Sequence, residues 1–365
     1  MQTLNIVLLF IGTASSLEAD GPSKGPVLSE QLVARDQGYF PVAQRLKDGR
    51  IAVVLRGGAP HLGVKGRLDI VFSADDGQTW SPPTVVNDSP VDDRNPAFGQ
   101  AADGTLVVGF WRTARYDDNG KYAPNRTDKA VSTWATRSRD GGKTWDEATE
   151  IDVRDIGYGS PYGKMILLPD RSLLMSVYGE QPRAPGEAVN AREEWSYLYR
   201  STDDGKTWSR YATIAAKRFN ETSVVLLKSG RMIAAMRAVP PEQAVWTCHS
   251  ENLGKTWSEP DYLSPAKHHP ADLIELSDGR VLMTLGCRAG KFGVVGVVSN
   301  AQGRFNWAEY YSLVDDATST DCGYPSSVLL PDGLALTVYY AVGRKGKPDW
   351  RTHCGAIVHR LPTAR

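Results

Sequence analysis

The sequence predicts an all-β chain, on the basis of its composition and of two repeated patterns. Glycine (35 residues), proline (22) and tryptophan (10) suit many short strands joined by tight turns. One pattern reads S-x-x-x-G-x-T-W, and the other is an apolar strand, a short turn and a second apolar strand. Together they recur at intervals that hold four strands, which is typical of a propeller blade. The expected fold is therefore a six-bladed β-propeller of four-stranded antiparallel blades.

The first pattern has the chemistry of a hairpin turn. An Asp side chain can accept hydrogen bonds from turn amides, Gly takes the left-handed conformation, and Trp packs against the sheet. We call these turns Asp-box hairpins and expect them to stabilise blades rather than to take part in catalysis. The copies stand at 73–80, 138–145, 201–208 and 250–257, with a degenerate fifth copy at 299–307.

The second pattern gives the number and extent of the blades. A chain of 365 residues could hold two average domains, but a single all-β domain can also reach this length. The turns lie 49 to 67 residues apart, at Gly49, Gly104, Arg171, Gly230, Gly279 and Gly333. We therefore expect one propeller domain at 28–365.

The first residues have the pattern of a signal peptide. An apolar core at 6–11 is followed by small residues suited to cleavage near Ala19. We expect 1–19 to be a leader and the protein to be secreted or periplasmic. A disordered or buried N-terminus is the alternative, since no Lys or Arg precedes the apolar core. No later stretch of the sequence is long enough to cross a bilayer.

Charge and cysteine content narrow the classes of ligand. Lys plus Arg and Asp plus Glu are equal at 42 each, so the chain has no basic excess suited to nucleic acid. The four cysteines lack C-x-x-C spacing and no D-x-D-x-D-G run is present, so we expect neither a metal site nor a cofactor. Disulfides after export and buried free thiols both stay open. The sequence does not predict an oligomeric state.

The register of the six hairpins brings reactive side chains together. In an antiparallel pair, residues equally far from the turn lie side by side, so Glu221 and Arg237 are expected to be neighbours. Because blades converge on a central axis, the same strand end in every blade should face one shared basin. Nine residues before each turn and seven after it stand Phe40, Asn95, Tyr162, Glu221, Pro270, Tyr324, Arg56, Trp111, Tyr178, Arg237, Gly286 and Tyr340.

Further polar residues near the same rim are expected to contact a ligand. A hydrophobic core would favour Val, Leu and Ile at such positions, so polar residues indicate a site. Structural ion pairs and a packed tyrosine are the alternative explanation. At least one of two longer polar segments, 115–130 and 180–195, is expected to rim the basin. The rim candidates are Arg94, Lys164, His269, Asp272 and Arg288, with His61 on the first loop.

With its Asp-box hairpins and this ring, the chain resembles the sialidase superfamily, in particular its secreted bacterial members, over essentially its whole length after the leader. Sialidases place a Glu sixteen residues before an Arg of their arginine triad, as Glu221 and Arg237 stand here. Their nucleophilic Tyr precedes a strand that ends in a P-D-G-like turn, as Tyr324 does. A further triad arginine follows in the next blade, where Arg288 stands.

Two positions differ from the sialidase pattern. Tyr39 stands where sialidases carry the arginine of an Arg-Ile-Pro element. Gly66 stands near the place of their acid/base Asp. An acid must still protonate the leaving oxygen, and His61 is the first candidate for this role, with Asp69 the second.

The resemblance implies an exo-glycosidase that hydrolyses a terminal acidic sugar, sialic acid or a related one, from a glycan. A neutral tyrosine can approach an anionic sugar, and Glu221 would take its proton. Arg237 and Arg288, helped by Arg56 or Arg94, would hold the sugar carboxylate. Two alternatives stay open. One is a polysaccharide lyase, in which arginines neutralise a uronate and the tyrosine or a histidine removes the adjacent proton. The other is a non-catalytic propeller that binds glycan or a protein partner.

Overall fold

The computed structural model describes residues 23–124, 129–180 and 193–362, and in these ranges the chain is all-β, as predicted. The predicted leader, 1–19, lies outside the described residues. No helix in the described ranges is long and apolar enough to span a membrane. Two short 3-10 helices lie at Arg154–Ile156 and Trp307–Glu309. The strands are β1 Ser23–Lys24, β2 Val27–Arg35, β3 Tyr39–Arg45, β4 Ile51–Gly57, β5 Arg67–Ser73, β6 Thr84–Asn87, β7 Asp92–Gln100, β8 Leu106–Thr113, β9 Val131–Ser138, β10 Thr149–Ile151, β11 Ser160–Leu167, β12 Leu173–Glu180, β13 Glu194–Ser201, β14 Ser209–Ala215, β15 Phe219–Leu226, β16 Met232–Ala238, β17 Val245–Ser250, β18 Asp261–Tyr262, β19 His268–Glu275, β20 Val281–Cys287, β21 Phe292–Val298, β22 Tyr311–Ala317, β23 Cys322–Leu329, β24 Ala335–Arg344 and β25 Lys347–His359.

Hydrogen bonding arranges β2–β25 into antiparallel units of four, and the short strand β1 pairs in parallel with β22. Units 1 to 5 each use strands that are consecutive in the chain, namely β3–β6, β7–β10, β11–β14, β15–β18 and β19–β22. Unit 6 has the strand order β23-β24-β25-β2. The N-terminal strand β2 therefore completes the unit that the C-terminal strands begin, and this ladder ties the two ends of the domain together.

Additional pairs join some units to their neighbours. A short parallel contact between β11 and β7 links unit 3 to unit 2. A single residue pair, Ala317 with Arg344, links β22 of unit 5 to β24 of unit 6. As a result, the strands of the described residues belong to four sheets rather than to the six separate sheets that the sequence predicts.

Apolar side chains fill every junction between successive units. Because neighbouring residues of a strand point to opposite faces, Val53 packs toward unit 6 and Val54 packs toward unit 2. Five separate buried clusters join units 1 to 2, 2 to 3, 3 to 4, 4 to 5 and 5 to 6. Another cluster joins unit 6 back to unit 1. The units therefore contact one another in a closed cyclic order, and the first strands of successive units also touch.

The Asp-box hairpins form the turns that their sequence predicts. In the first copy, the Oγ of Ser73 accepts the N–H of Gly77 at 2.8 Å, and Asp75 accepts the N–H of Thr79 at 2.9 Å. Equivalent bonds recur in the other three copies, with Asn252 in place of the Asp in the fourth. Hydrogen bonds from Thr79 lower the pKa of Asp75 to about 2. Each turn connects the third strand of a unit to its fourth and outermost strand. The turn residues therefore belong to the outer part of each unit.

A bulge interrupts the first strand of every unit at the same height. In β15 the ladder shifts between Asn220 and Ser223, and matching shifts occur in β3, β7, β11, β19 and β23. Non-glycine residues rarely adopt positive φ, and each such residue stores about 1–3 kcal/mol of strain. Bulges commonly aim side chains at functional sites. Non-glycine residues adopt positive φ at four of these bulges, at Phe40 (54°), Asn95 (51°), Glu221 (29°) and Tyr324 (46°).

The cysteines do not form disulfides. Cys248, Cys287, Cys322 and Cys354 are all buried free thiols, which is one of the two arrangements that the sequence leaves open. Burial raises the pKa of the Cys248 thiol to about 12 and that of Cys322 to about 11. These thiols therefore act as small apolar core groups at neutral pH.

Candidate active site

Glu221 and Arg237 form an ion pair across the hairpin of β15 and β16. The Nη1 of Arg237 lies 2.5 Å from the Oε2 of Glu221. The Cα partner of Arg237 in the ladder is Asn220, so the bulge at Glu221 brings its carboxylate to the guanidinium. Burial alone would lower the pKa of Arg237, but the charge of Glu221 outweighs it and the pKa is raised. The predicted neighbours therefore meet, and the guanidinium stays charged.

Tyr324 joins this pair from β23. Its hydroxyl donates a hydrogen bond to Oε1 of Glu221, while Arg237 occupies the other carboxylate oxygen. Both Tyr324 and Glu221 are buried, with 7% and 3% of their surfaces exposed. Burial and the charge of Glu221 raise the pKa of Tyr324, although Arg237 and Arg288 oppose the shift. The tyrosine is therefore neutral at pH 7, with a carboxylate in position to accept its proton.

Arg288 lies against the Tyr324 ring, with its Cζ 5.4 Å from the ring centroid. Its Nε and Nη2 donate to the carbonyl of Cys322 at 3.1 and 3.0 Å, and Nη1 lies 3.3 Å from Nδ1 of His269. Burial, with the charges of Arg237 and Arg288, lowers the pKa of His269 to about 2. A neutral His269 accepts at Nδ1, because a guanidinium can only donate. His269 therefore orients Arg288.

His61 reaches the basin from the loop after β4. Its Nδ1 lies 2.6 Å from Oδ1 of Asp321, and the Tyr340 hydroxyl donates to the same oxygen at 2.7 Å. Burial would raise the pKa of Asp321, but hydrogen bonds from His61 and Tyr340 and the charge of Arg288 lower it. Asp321 is not among the residues that the sequence pattern singles out. The available signal was a carboxylate three residues before Tyr324, on the loop that enters the tyrosine strand.

Aromatic rings pack between His61 and Tyr324. The ring of Phe40 lies 4.9 Å from that of His61 and 4.9 Å from that of Tyr324. Tyr39, which the sequence resemblance sets in the place of an arginine, packs 5.2 Å from Tyr340 and 5.6 Å from His61. This ring therefore supports His61. The full aromatic cluster comprises Tyr39, Phe40, Tyr162, Tyr178, Tyr324 and Tyr340.

Lys164 and Asp272 form a buried pair beside the site. The Nζ of Lys164 lies 2.5 Å from both oxygens of Asp272, and the N–H of Ser327 donates to Asp272 at 2.7 Å. Burial lowers the pKa of Lys164 and raises that of Asp272. The two charges satisfy each other, although Asp272 also lines a small cavity with Phe40 and Tyr324.

Arg56 holds the 59–63 loop, which follows β4, in position. It is 0% exposed, and it donates to Asp92 and to carbonyl oxygens of the 59–63 loop, the loop that carries His61. All of its donor groups are used in these bonds. The structure therefore leaves Arg56 without a donor for a substrate carboxylate.

Asp69, the second candidate for the acid, lies apart from the site. On β5 its carboxylate accepts the Nε of Arg67 at 2.9 Å, and its side chain is buried. Burial raises its pKa. Among the described residues, no hydrogen bond connects Asp69 to Tyr324 or Glu221, so the geometry does not favour it over His61.

Arg94 and Asn95 line the rim next to Phe40. The Arg94 guanidinium contacts Asp92 at 3.3 Å and lies 5.8 Å from the Phe40 ring and 5.9 Å from Tyr122. Tyr122 belongs to the 115–130 segment, whose residues 125–128 lie outside the described ranges. Most of the other segment, 181–192, also lies outside them. In the described residues, Nε of Arg94 and Oδ1 of Asn95 are buried without a hydrogen-bond partner.

Comparison with known proteins decides the family. The BNR repeat-like domain matches residues 68–338, which is most of the chain. The chain belongs to this BNR-repeat family, within the sialidase superfamily. A sialidase of Paraclostridium sordellii is 23% identical over 271 residues, covering 66% of this chain and 63% of the relative. A sialidase of Clostridium perfringens is 23% identical over 246 residues, covering 60% of each protein. The chain thus matches less than two thirds of these relatives.

Solved structures share the fold of this BNR-repeat protein. A protein of unknown function from Dyadobacter fermentans has a TM-score of 0.78 at 22% identity, covering 92% of this chain and 99% of its own. The NanB sialidase of Streptococcus pneumoniae has a TM-score of 0.65 at 13% identity, covering 92% of this chain and 71% of its own. At such identities the likeness concerns the fold, so the activity has to be argued from the residues of the site.

Proposed function

We propose that this BNR-repeat protein is an exo-glycosidase that hydrolyses a terminal acidic sugar, sialic acid or a related one, from glycans. The observation that carries the proposal is the contact of Tyr324 and Arg237 with the two oxygens of Glu221. A carboxylate nucleophile would be repelled by an anionic sugar, whereas a neutral tyrosine would not. Membership of the sialidase superfamily supports the same reaction class.

The proposed chemistry has two steps. In the first, Glu221 takes the hydroxyl proton of Tyr324 as its oxygen bonds to the anomeric carbon and the bond to the leaving oxygen breaks. An acid, for which we propose His61, protonates the leaving oxygen. In the second step, water gives a proton to His61 and displaces the tyrosine from the sugar, and Glu221 returns its proton to the tyrosine oxygen. Arg237 holds Glu221 in position through both steps.

Arginines supply the proposed carboxylate clamp. Arg288 lies against the Tyr324 ring, Arg237 binds the carboxylate that accepts from Tyr324, and Nε of Arg237 has no hydrogen-bond partner among the described residues. Charge-assisted hydrogen bonds from guanidinium to carboxylate are roughly twice as strong as neutral ones. Arg94 is a further cation at the rim, near Phe40. Lys164 and Asp272 fit a supporting role better than substrate contact, because they neutralise each other.

We also propose that the six antiparallel units are the blades of a propeller. The closed cyclic order of the buried clusters supports this arrangement, because each cluster joins one unit to the next around the cycle. The bulges at equal heights support a shared basin at one end of the axis. On this view the parallel contact between β7 and β11 is a local junction between two blades.

The test is a product analysis by mass spectrometry. The protein and its Tyr324→Phe variant are incubated with sialylated and with uronate-containing glycans. We expect release of a free acidic sugar that has gained the elements of water, and a loss of turnover by orders of magnitude in the variant. Tyr262→Phe is the matched control, because Tyr262 is exposed on the outer strand β18. Unsaturated products would instead support a lyase, and unchanged glycans a binding propeller.

A further inference from the structure

We propose that Asp321 is a positioning residue that holds His61 as the general acid and base of the glycosidase reaction. This inference rests on the proposed function and assigns a role to a carboxylate that the sequence pattern does not single out. Its basis is the 2.6 Å contact between Nδ1 of His61 and Oδ1 of Asp321. Both side chains are partly open, with 34% and 31% exposed, as groups that meet a substrate must be.

The contact fixes which ring nitrogen carries the exchangeable proton. A carboxylate accepts, so Nδ1 of His61 must be the donor. The described residues offer a hydrogen bond to Nδ1 and none to Nε2. Nε2 of the imidazolium form is therefore the nitrogen that gives a proton to the leaving oxygen in the first step. In the second step the neutral ring takes a proton at Nε2 from the attacking water, so the imidazolium is restored.

The carboxylate is itself held in place. The hydroxyl of Tyr340 donates to Asp321 Oδ1 at 2.7 Å, and the backbone N–H of Asp321 donates to Ser319 Oγ at 3.0 Å. Tyr340 is fully buried, and its ring lies 5.6 Å from that of Tyr324. A single segment, 321–324, therefore sets the position of both the nucleophile and the partner of the acid.

The histidine loop is anchored on two sides. Arg56 donates hydrogen bonds to the carbonyl oxygens of Ala59, Pro60 and Gly63, and Asp321 accepts a hydrogen bond from the His61 ring. The rings of Tyr39 and Phe40 pack against His61 at 5.6 and 4.9 Å. These contacts reduce the freedom of a loop residue, which a general acid requires for efficient proton transfer.

The first experiment compares two leaving groups on the same acidic sugar. An aryl glycoside with an acidic phenol leaves without protonation, whereas an alkyl glycoside needs the acid. We expect Asp321→Asn and His61→Ala to lower kcat on the alkyl glycoside by about 10²–10³-fold and on the aryl glycoside by less than about 10-fold. Asp332→Asn, at an exposed turn, is the control. Equal losses on both substrates would overturn the proposed role.

A double variant tests whether the two residues act as a unit. Once His61 is absent, Asp321 has nothing to position, so His61→Ala/Asp321→Asn should be no slower than His61→Ala alone. Additive losses would show that Asp321 acts independently, which contradicts the proposal.

A spectroscopic readout separates this inference from the proposed function. The ¹⁵N shifts of the His61 ring, assigned with His61→Ala, report the tautomer without turnover. We expect the neutral ring to carry its proton on Nδ1 in the wild type and to become a mixture of tautomers in Asp321→Asn. A wild-type proton on Nε2 overturns the positioning role even if the enzyme is active. If the tautomer is as expected but neither glycoside is cleaved, the proposed function fails and the acid role fails with it.

Discussion

The Nζ of Lys164 lies 2.5 Å from both carboxylate oxygens of Asp272, and this buried pair joins β11 of unit 3 to β19 of unit 5. Asp272 also accepts the N–H of Ser327 in unit 6, so three units meet at one carboxylate. Such a pair matters for stability because removing either partner would leave the other charge buried without compensation. The pair therefore connects the stability of the domain to the geometry beside Tyr324.

Replacing Lys164 by Met should destabilise the protein strongly. The variant leaves Asp272 buried without its counter-charge, and the expected loss in the free energy of unfolding is about 3–5 kcal/mol. Urea unfolding followed by tryptophan fluorescence measures it. Lys164→Met/Asp272→Asn should recover most of the loss, since an amide oxygen still accepts from Ser327. Lys255→Met, at an exposed position, is the control. An unchanged Lys164→Met protein would mean that the pair carries no stability.

Glu221→Gln should abolish most turnover while the fold persists. The amide keeps the size of the side chain but cannot take the proton of Tyr324. We expect kcat to fall about 10²–10⁴-fold, the range typical for loss of a general base. Steady-state kinetics, with circular dichroism to monitor folding, give the result. Glu259→Gln, on the exposed surface, should keep full activity. A fully active Glu221→Gln variant would remove Glu221 from the mechanism.

Arg288→Lys should weaken recognition of the acidic sugar selectively. Charged hydrogen bonds contribute about 1.5–3 kcal/mol, so kcat/KM for the acid should fall about 10- to 100-fold. The same sugar with its carboxylate replaced by a carboxamide should be affected much less. A similar loss on both substrates would instead indicate a displaced Tyr324 segment, because Arg288 also binds the Cys322 carbonyl. Arg304→Lys is the exposed control.

The hairpin register alone predicts which side chains of one unit meet. Glu221 and Arg237 illustrate this, because turn length and the two-residue period fix their separation from the turn. The bulge is not visible in the pattern: Arg237 pairs with Asn220 in the ladder, and the positive φ of Glu221 completes the contact. The predicted ring is therefore similar to the arrangement in the structure. Register does not predict the local backbone conformation that creates this arrangement.

The repeat pattern does not predict contacts between units. Asp321 lies on a loop, and its partner His61 is 260 residues away, so no periodicity relates them. Arg56 sits in the predicted ring, yet its donors are used by Asp92 and the first loop, which depends on how units 1 and 2 pack. The same holds for the joining of units into four sheets, because β7 and β11 pair through only a few residues.

Buried neutral histidines should make the protein less stable in acid. Burial lowers the pKa of His359 to about 4 and that of His353 to about 4, against about 6.5 in the unfolded chain. Because the folded state resists protonation, each histidine contributes stability above pH 6.5, and that stability is lost as the pH falls from 6.5 to 4. Each adds about 1.4 kcal/mol per pH unit to the slope in this window. Urea unfolding of wild type and His359→Gln between pH 7 and 4 should show a slope reduced by that amount in the variant. Parallel pH profiles would mean that His359 takes up its proton in the folded protein over the same pH range as in the unfolded chain, despite its burial and its contact with Thr337 at 3.0 Å.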